Sequence, residues 1–290
     1  MYKLRDWIDI NNLNWYKLSM NPLAINVLEA NMNNINLDGL SGNENAIHLL
    51  QQNLENINWS ELVHNHCAIS ILEKNKNKIN WSWLSLHPRA IDFLEENLDK
   101  INWKWLSKNP RAIHLLEKNQ DKINWNWLSS NSSAIHLLEE NLDKINWEWL
   151  SGNPSAINLL EENLDKINWN WLSKNPSAIN LLEKNQDKIN WELLSLNPCA
   201  IPILEKNLDR INWRNLSQNH SAIYLLEKNQ DKIDGYEFSL NPSIFELDYN
   251  ALKERCSIYK EEVIQIALHP SRISKYLDQG ISYQDLDNYI

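Results

Sequence analysis

The stretch INWNWLSKNPSAINLLEKNQDK, residues 167–188, is one copy of a motif that recurs every 22 residues through most of this 290-residue chain. A fixed period of this length is typical of a stacked array, in which each repeat contacts only its neighbours. Such an array offers a long surface of equivalent positions and rarely a single catalytic cleft. The first tryptophan of the motif recurs in one register from Trp15 onward, and that register reaches Gly235; its central members are Trp59, Trp81, Trp103, Trp125, Trp147, Trp169, Trp191 and Trp213.

Two helices are predicted in each repeat, as residues 101–122 illustrate. Asn109 followed by Pro110 is a helix start, because asparagine caps the free N–H groups and proline fits the first helical position. The apolar spacing that follows predicts a helix of about ten residues. Asn119 is expected to end it in a left-handed conformation. Asn124 can cap a second helix of about seven residues, so we expect a 3₁₀ or short α segment there.

These signals predict an all-α solenoid of about ten repeats, each with one short 3₁₀ or α-helix and one longer α-helix, and no β-strand. At about 8–10 Å between packed helices, the array would be an open rod or arc on the order of 100 Å long. We expect residues 1–14 to cap one end, residues 15–245 to form the solenoid and residues 246–290 to form a helical cap. The cap is predicted as a helix to Cys256, a helix over Tyr259–Leu268 and a helix over Pro270–Gln279 that Gly280 ends.

The first tryptophan of each repeat is expected to be buried and to stabilise the array, because it is replaced by no polar residue in the central repeats. We therefore expect Trp147→Ala to lower the free energy of unfolding by about 3–5 kcal/mol, and Trp149→Ala clearly less. The recurrent asparagines are expected to cap helix ends and to form ladders between repeats.

The second tryptophan of the WxW pair is the first candidate for a binding surface, because its column also accepts polar residues: Lys17, Glu61 and Asn215. Those copies cannot be deeply buried. The column therefore predicts either a half-exposed aromatic stripe for a partner or rings that pack between neighbouring short helices. Its five consecutive tryptophans are Trp83, Trp105, Trp127, Trp149 and Trp171.

Variable columns beside the longer helix give a second candidate surface, which includes Arg89, Arg111, His114 and His136. Variation on a fixed framework is how repeat proteins carry specificity, although drift on a solvated face looks the same. His114 and His136 lack a third ligand, so they make a poor metal site. No phosphate loop, HExxH motif or catalytic triad is readable, and no cofactor is expected.

The motif INWNWLSKNPSAINLLEKNQDK, together with the tail IALHPSRISKYLDQG at 266–280, resembles tandem-repeat proteins encoded in many copies by giant DNA viruses of amoebae and algae. The resemblance covers nearly the whole chain and implies a viral source. It implies no activity, catalytic residue or cofactor.

Charge and composition limit the classes of partner that the protein can bind. The net charge of −10 argues against general nucleic-acid binding, and no stretch is apolar enough to span a membrane. Three scattered cysteines indicate a reducing compartment, so we expect a soluble protein of the host cytoplasm or the virion. The expected function is a non-catalytic scaffold that binds a host or viral protein. The alternatives are a structural component of a viral particle or factory and, third, an enzyme or nucleic-acid binder.

Overall fold

The computed structural model describes residues 2–267 and 269–278 and confirms an all-α repeat solenoid. Each repeat opens with a short α-helix, the lead helix. The lead helices are Trp15–Met20, Leu37–Ser41, Trp59–Leu62, Trp81–Leu86, Trp103–Leu106, Trp125–Ser129, Trp147–Ser151, Trp169–Lys174, Trp191–Leu194, Trp213–Ser217 and Gly235–Phe238. A second helix follows, at Ile25–Ala30, Ile47–Gln51, Ile69–Lys74, Ile91–Glu95, Ile113–Lys118, Ile135–Glu139, Ile157–Glu161, Ile179–Glu183, Ile201–Glu205 and Ile223–Glu227.

A 3₁₀ turn closes each repeat. These turns are Met32–Asn34, Leu54–Asn56, Lys76–Lys78, Leu98–Lys100, Gln120–Lys122, Leu142–Lys144, Leu164–Lys166, Gln186–Lys188, Leu208–Arg210 and Gln230–Lys232, and a further one is Ile10–Asn12. Some repeats have another 3₁₀ turn just before the second helix, at Pro154–Ala156, Pro176–Ala178 and His220–Ala222, and the turn Pro242–Ile244 precedes a strand instead.

The second helix is shorter than predicted, and the reason lies at the alanine before it. Ala112 has φ −90° and ψ 9°, which separates the Asn-Pro turn from the helix Ile113–Lys118. The helix therefore has six residues rather than about ten. Asn109 caps the turn instead, with its Oδ1 accepting the Arg111 N–H at 3.0 Å. The predicted cap by Asn124 is confirmed, because its Oδ1 accepts the N–H of Trp127.

The prediction of a left-handed residue at Asn119 is wrong. Its φ is −134° and its ψ is 52°. Its side-chain amide donates to the Leu115 carbonyl at 2.9 Å, so the helix end is satisfied without a left-handed turn.

Leucine and alanine fill the interior, and the first tryptophans do not. Leu106, Ala112 and Leu116 are fully buried, whereas Trp103 is half-buried and packs against that core. The indole of Trp103 lies at the rim, where the Lys122 ammonium sits 4.5 Å from its ring centroid. The same cation–π pair recurs from Trp59 to Trp213 at 4.4–5.0 Å. The expectation of fully buried tryptophans is therefore wrong, since each ring covers the core instead of filling it.

The predicted asparagine ladder is confirmed by buried hydrogen bonds between repeats. The Asn131 side-chain amide donates to the Ser107 and Asn109 carbonyls of the preceding repeat, both at 3.0 Å. Serine adds a second link, because Ser107 Oγ donates to the Trp103 carbonyl and accepts the Asn124 N–H at 2.9 Å. The ladder asparagines are Asn21, Asn43, Asn65, Asn109, Asn131, Asn153, Asn175, Asn197, Asn219 and Asn241.

The ladder closes on itself, so residues 4–245 form a ring of eleven repeats. The Asn21 side-chain amide donates to the Ser239 and Asn241 carbonyls, both at 3.2 Å. Ser239 Oγ accepts the N–H of Asn14 at 2.7 Å. The same bonds join the other consecutive repeats, except where His87 replaces the asparagine and Val63 replaces the serine. Here they are made between the first and the last repeat. The expected open rod or arc is wrong, because the small rotation at every junction adds up to a full turn.

The eleventh repeat is assembled from both ends of the ring segment. Its lead helix is Gly235–Phe238, and the 3₁₀ turn Ile10–Asn12 takes the place of its closing turn. Trp7 packs on Phe238 at 5.8 Å between ring centroids, and the Arg5 N–H donates to the Ile244 carbonyl at 3.0 Å. Residues 4–13 therefore complete the last repeat, which corrects the expectation of a separate cap over residues 1–14.

A second compact unit contains residues 2–3 and, of the residues described, 246–267 and 269–278. The strands β1 (Tyr2–Leu4) and β2 (Phe245–Leu247) pair in a two-stranded sheet, which contradicts the expectation of no strand. Tyr249–Ala267 is one continuous helix, so the predicted break after Cys256 is wrong, and Pro270–Asp278 is the last helix described. Leu268, Gln279 and Gly280, where we expected helix ends, lie outside the described residues.

Among residues 2–267 and 269–278, none of the helices combines the length and the apolar character that a membrane span needs.

Candidate protein-interaction surface

The five tryptophans of the second column stack directly on one another. From Trp83 to Trp171 the ring centroids are 4.8, 4.8, 5.0 and 5.8 Å apart. His64 continues the row before Trp83, with its imidazole edge-on at 4.9 Å. We call these five residues the tryptophan stack. The structure thus brings together all five aromatic candidates from the sequence.

The stack lies on the inner side of the ring. Eleven equal steps rotate by about 33° each, and the interplanar angles along the stack are 37°, 42°, 39° and 21°. At that rotation, rings 4.8–5.0 Å apart lie about 9 Å from the ring axis. Consecutive lead helices also approach one another more closely than consecutive second helices do. The lead helices therefore line the inner wall, and the second helices lie outside them.

The second tryptophan column combines the two arrangements that the sequence predicts, because its rings pack on one another and are also partly exposed. The rings of Trp83, Trp105, Trp127 and Trp149 are half-buried, and Trp171 is 37% exposed. Neighbouring faces cover one another, because a centroid spacing near 5 Å leaves no room for a third ring between them. The surface that reaches solvent consists mainly of indole edges. A nucleic-acid base therefore finds few open faces to stack on.

Lysines flank the stack. The Lys104 ammonium lies 5.7 Å from the Trp127 ring centroid, and Lys108 lies 5.2 Å from the same ring and 5.9 Å from that of Trp149. Glu148 is the acidic neighbour, and its Oε1 accepts the Trp171 indole N–H at 3.1 Å. Sequence reasoning missed these lysines, because they lie in two columns that vary freely.

A hollow of about 250 Å³ interrupts the wall beside the last two rings of the stack. Gly152 lines it and adds no side chain at a position where several other repeats carry leucine or lysine. The lining residues are Lys108, Ser130, Trp149, Gly152, Trp171 and Lys174. Four of these share one position in successive repeats, spaced by 22, and that spacing was the signal available in the sequence.

The remainder of the inner wall is polar and more acidic. In the column of the stack it carries Lys17, Gly39, Glu61, Leu193, Asn215 and Glu237. Asn215 donates its side-chain amide to the Glu192 carbonyl at 2.9 Å. Burial, reinforced by Glu61, raises the pKa of Tyr16. The ring thus folds with charged and polar residues at positions where the neighbouring repeats have tryptophan.

The second group of sequence candidates lies on the second helices and the turns before them. His114 Nε2 is 2.6 Å from Glu95 Oε1, and His136 Nε2 is 3.1 Å from Glu117 Oε1. The two histidines therefore pair with glutamates of the preceding repeats instead of with each other. Within the described part of the chain, no three potential metal ligands cluster.

Arg89 and Arg111 are exposed beside each other. They line a shallow hollow of about 250 Å³ that also contains Asp92. The Arg89 guanidinium lies 3.8 Å from Cys67 Sγ. Cys67, Cys199 and Cys256 are free and exposed thiols.

His87 replaces asparagine at one position of the ladder. Its Nδ1 accepts the Arg89 N–H at 3.1 Å, as the asparagine Oδ1 does in other repeats, and its Nε2 is 3.5 Å from the Asn65 carbonyl. Burial disfavours the charged imidazolium and lowers the pKa of His87 to about 4. The residue is therefore neutral at pH 7 and acts as part of the ladder.

The first tryptophan column should contribute more to stability than the second, but the difference should be smaller than the sequence analysis predicts. We expect Trp147→Ala to lower the free energy of unfolding by about 2–4 kcal/mol, because this half-buried ring packs on the core and under Lys166. Trp149→Ala removes contacts with Trp127 and Trp171 and should cost about 1–2 kcal/mol. Urea titration of both variants measures the difference. A larger loss for Trp149→Ala would show that the stack, and not the rim, stabilises the ring.

Compared with known proteins, the chain matches no family model, no curated protein and no solved structure.

Proposed function

We propose that the chain is a non-catalytic scaffold that binds a protein partner through the tryptophan stack. The observation that carries this proposal is the contrast within one column. Six of the eleven positions hold residues other than tryptophan, and the ring closes all the same. Folding therefore does not require tryptophan at these positions, while partially exposed tryptophans are the residues that most often anchor protein interfaces.

Closure of the ring favours the scaffold over the alternative of a structural component of a viral particle or factory. In an open array, the two terminal repeats present the surfaces through which copies would join end to end. Here Asn21 and Ser239 already bond these surfaces to each other. End-to-end assembly of closed rings would need a different surface.

The test compares two matched variants of the ring in capture experiments from an amoeba extract, the host type that the resemblance implies. The first changes Trp105, Trp127, Trp149 and Trp171 to asparagine, the residue found at Asn215. The second changes the alternative surface to residues of its own columns. Its substitutions are Arg89→Ser, Arg111→Ser, His114→Asn and His136→Asn, after Ser133 and Asn158.

We expect both variants to keep the helical circular dichroism of the wild type, and only the first to lose the partner that the wild type captures. Loss of the partner with the second variant alone would move the binding surface to the second helices. Light scattering that shows concentration-dependent assembly, with no partner captured, would favour the structural component instead.

A further inference from the structure

We infer that the tryptophan stack binds a short acidic peptide segment with an aromatic or aliphatic side chain, which enters the hollow at Gly152. This inference rests on the proposed function and specifies the chemistry of the partner. It follows from the charge of the inner wall, the length of the stack and the shape of the hollow.

The first observation is a local excess of positive charge on an acidic protein. On the solvent-facing side of the four lead helices from Trp103 to Lys174, the charged residues are Lys104, Lys108, Lys174 and Glu148. This sector has a charge of +2, from three lysines and one glutamate, whereas the whole chain has −10. Attraction between opposite charges steers an acidic segment to this sector and keeps basic segments away.

The state of these lysines supports the same conclusion. Lys104 and Lys108 lie over indole rings, at 5.2–5.9 Å from the centroids. Arg214, elsewhere on the inner wall, forms ion pairs with Glu237 and Asp234. None of the ion pairs among the described residues involves Lys104, Lys108 or Lys174. Within that part of the chain, an incoming carboxylate therefore competes with no paired acid for these lysines.

The second observation is length. From Trp83 to Trp171 the successive centroid distances of 4.8–5.8 Å trace a path of about 20 Å, which corresponds to about six residues of extended chain at roughly 3.3 Å each. A small metabolite would occupy only part of this path. An extended peptide can follow the row of indole edges from repeat to repeat.

The third observation is the hollow. Its volume of about 250 Å³ suits one large apolar side chain, and it lies beside the stacked rings of Trp149 and Trp171, with Lys108 and Lys174 also in its lining. An aromatic or aliphatic side chain placed there leaves the neighbouring carboxylates of the peptide within reach of both ammonium groups. Apolar anchors in a desolvated pocket, with charges at the rim, are the usual arrangement at peptide interfaces.

The chain supplies well-matched variants for a test. Gly152→Leu fills the hollow with the residue found at Leu86 and Leu196 of the same column. A Cβ at Gly152 would meet only ordinary contacts, the nearest at 3.6 Å from Trp171. Lys174→Gln removes one charge and introduces the residue found at Gln218. Lys118→Gln removes one charge from an exposed position on a second helix and is the control.

The probe is a positional library of acetylated, amidated hexapeptides with Asp, Lys, Gln, Phe, Leu or Gly at each position. We expect the full-length wild type to select peptides in which aspartates flank phenylalanine or leucine. Gly152→Leu should weaken the best peptide at least tenfold, Lys174→Gln about fivefold, and Lys118→Gln less than twofold. Circular dichroism and melting of each variant serve as the folding check.

Selection of basic or uncharged peptides, or of none, would overturn the inference while the proposed scaffold function stands on its own capture test. Acidic selection that Gly152→Leu leaves unchanged would overturn it as well, because the hollow would then play no part. Loss of both peptide selection and stack-dependent capture would reject the proposed function together with the inference.

Discussion

Asn131→Ala is expected to lower the free energy of unfolding by about 3–4 kcal/mol. The side-chain amide is buried, donates to the Ser107 and Asn109 carbonyls, and accepts the Ser133 N–H. Alanine removes all three bonds and leaves buried backbone groups short of partners, which costs about 1–3 kcal/mol per group. Urea titration followed by circular dichroism measures the change.

Asn21→Ala should have the same effect, because the ring places Asn21 at an ordinary junction. Its amide bonds to the Ser239 and Asn241 carbonyls just as Asn131 bonds to its own neighbour. Asn141→Ala is the control, since this half-buried side chain donates to the Leu137 carbonyl and accepts one exposed bond from Lys144, and its loss should cost about 1 kcal/mol. If Asn21→Ala behaved like the control, the first repeat would be a free end.

Gly235→Trp should destabilise the ring by about 3 kcal/mol or more, although tryptophan is the residue that most repeats carry at this position. A Cβ on Gly235 would clash with the Asn12 carbonyl oxygen, so the backbone would have to move. Asn12 belongs to the segment that completes the last repeat, so the clash would disturb the contacts that close the ring. Overpacking of this kind typically costs about 1–3 kcal/mol before any junction opens.

Gly152→Ala is the control for the glycine substitution. Its new Cβ would meet atoms no nearer than 3.6 Å, and its melting temperature should match that of the wild type within error. A Gly235→Trp ring as stable as the wild type would mean that Asn12 does not approach the last lead helix. The closure described here would then be wrong at that point.

Much of the repeat could be predicted from the sequence because its signals are local. The cap at Asn124 depends on residues three positions away, and the period of 22 guarantees that equivalent asparagines meet. The break at Ala112 could not be predicted, because the Asn-Pro turn and the helix after it have one continuous apolar pattern. The half-buried position of Trp103 could not be predicted either, because tryptophan is found both inside cores and at their rims.

Closure is a property that the period alone does not encode. It depends on the angle between consecutive repeats, which is the sum of many small contacts such as that of Ser107 with Asn124. A change of a few degrees per junction would turn a ring into an open superhelix. Gly235 lies at the closing junction, where most repeats have tryptophan. In the sequence alone, however, a glycine in the last, degenerate repeat is equally compatible with the end of an open array.

The candidate surface was visible in the sequence only as a list of tryptophans. Their stacking follows from the repeat, and their position on the inner wall follows from closure. Lys108 and Lys174 line one hollow although three periods separate them. The spacing of 22 relates them in the sequence, but the curvature of the ring is what brings them to one hollow.

The distance between the first and last repeats tests the closed ring most directly. Spin labels at Asn11→Cys and Asp231→Cys, with the three native cysteines changed to serine, probe the 3₁₀ turns that flank the closure. The reference pair is Asp121→Cys and Asp143→Cys, at the same position in consecutive inner repeats. The ring predicts equal distance distributions for the two pairs, with backbones about 10 Å apart. A separation of several tens of ångströms for the first pair would contradict closure and restore the open array.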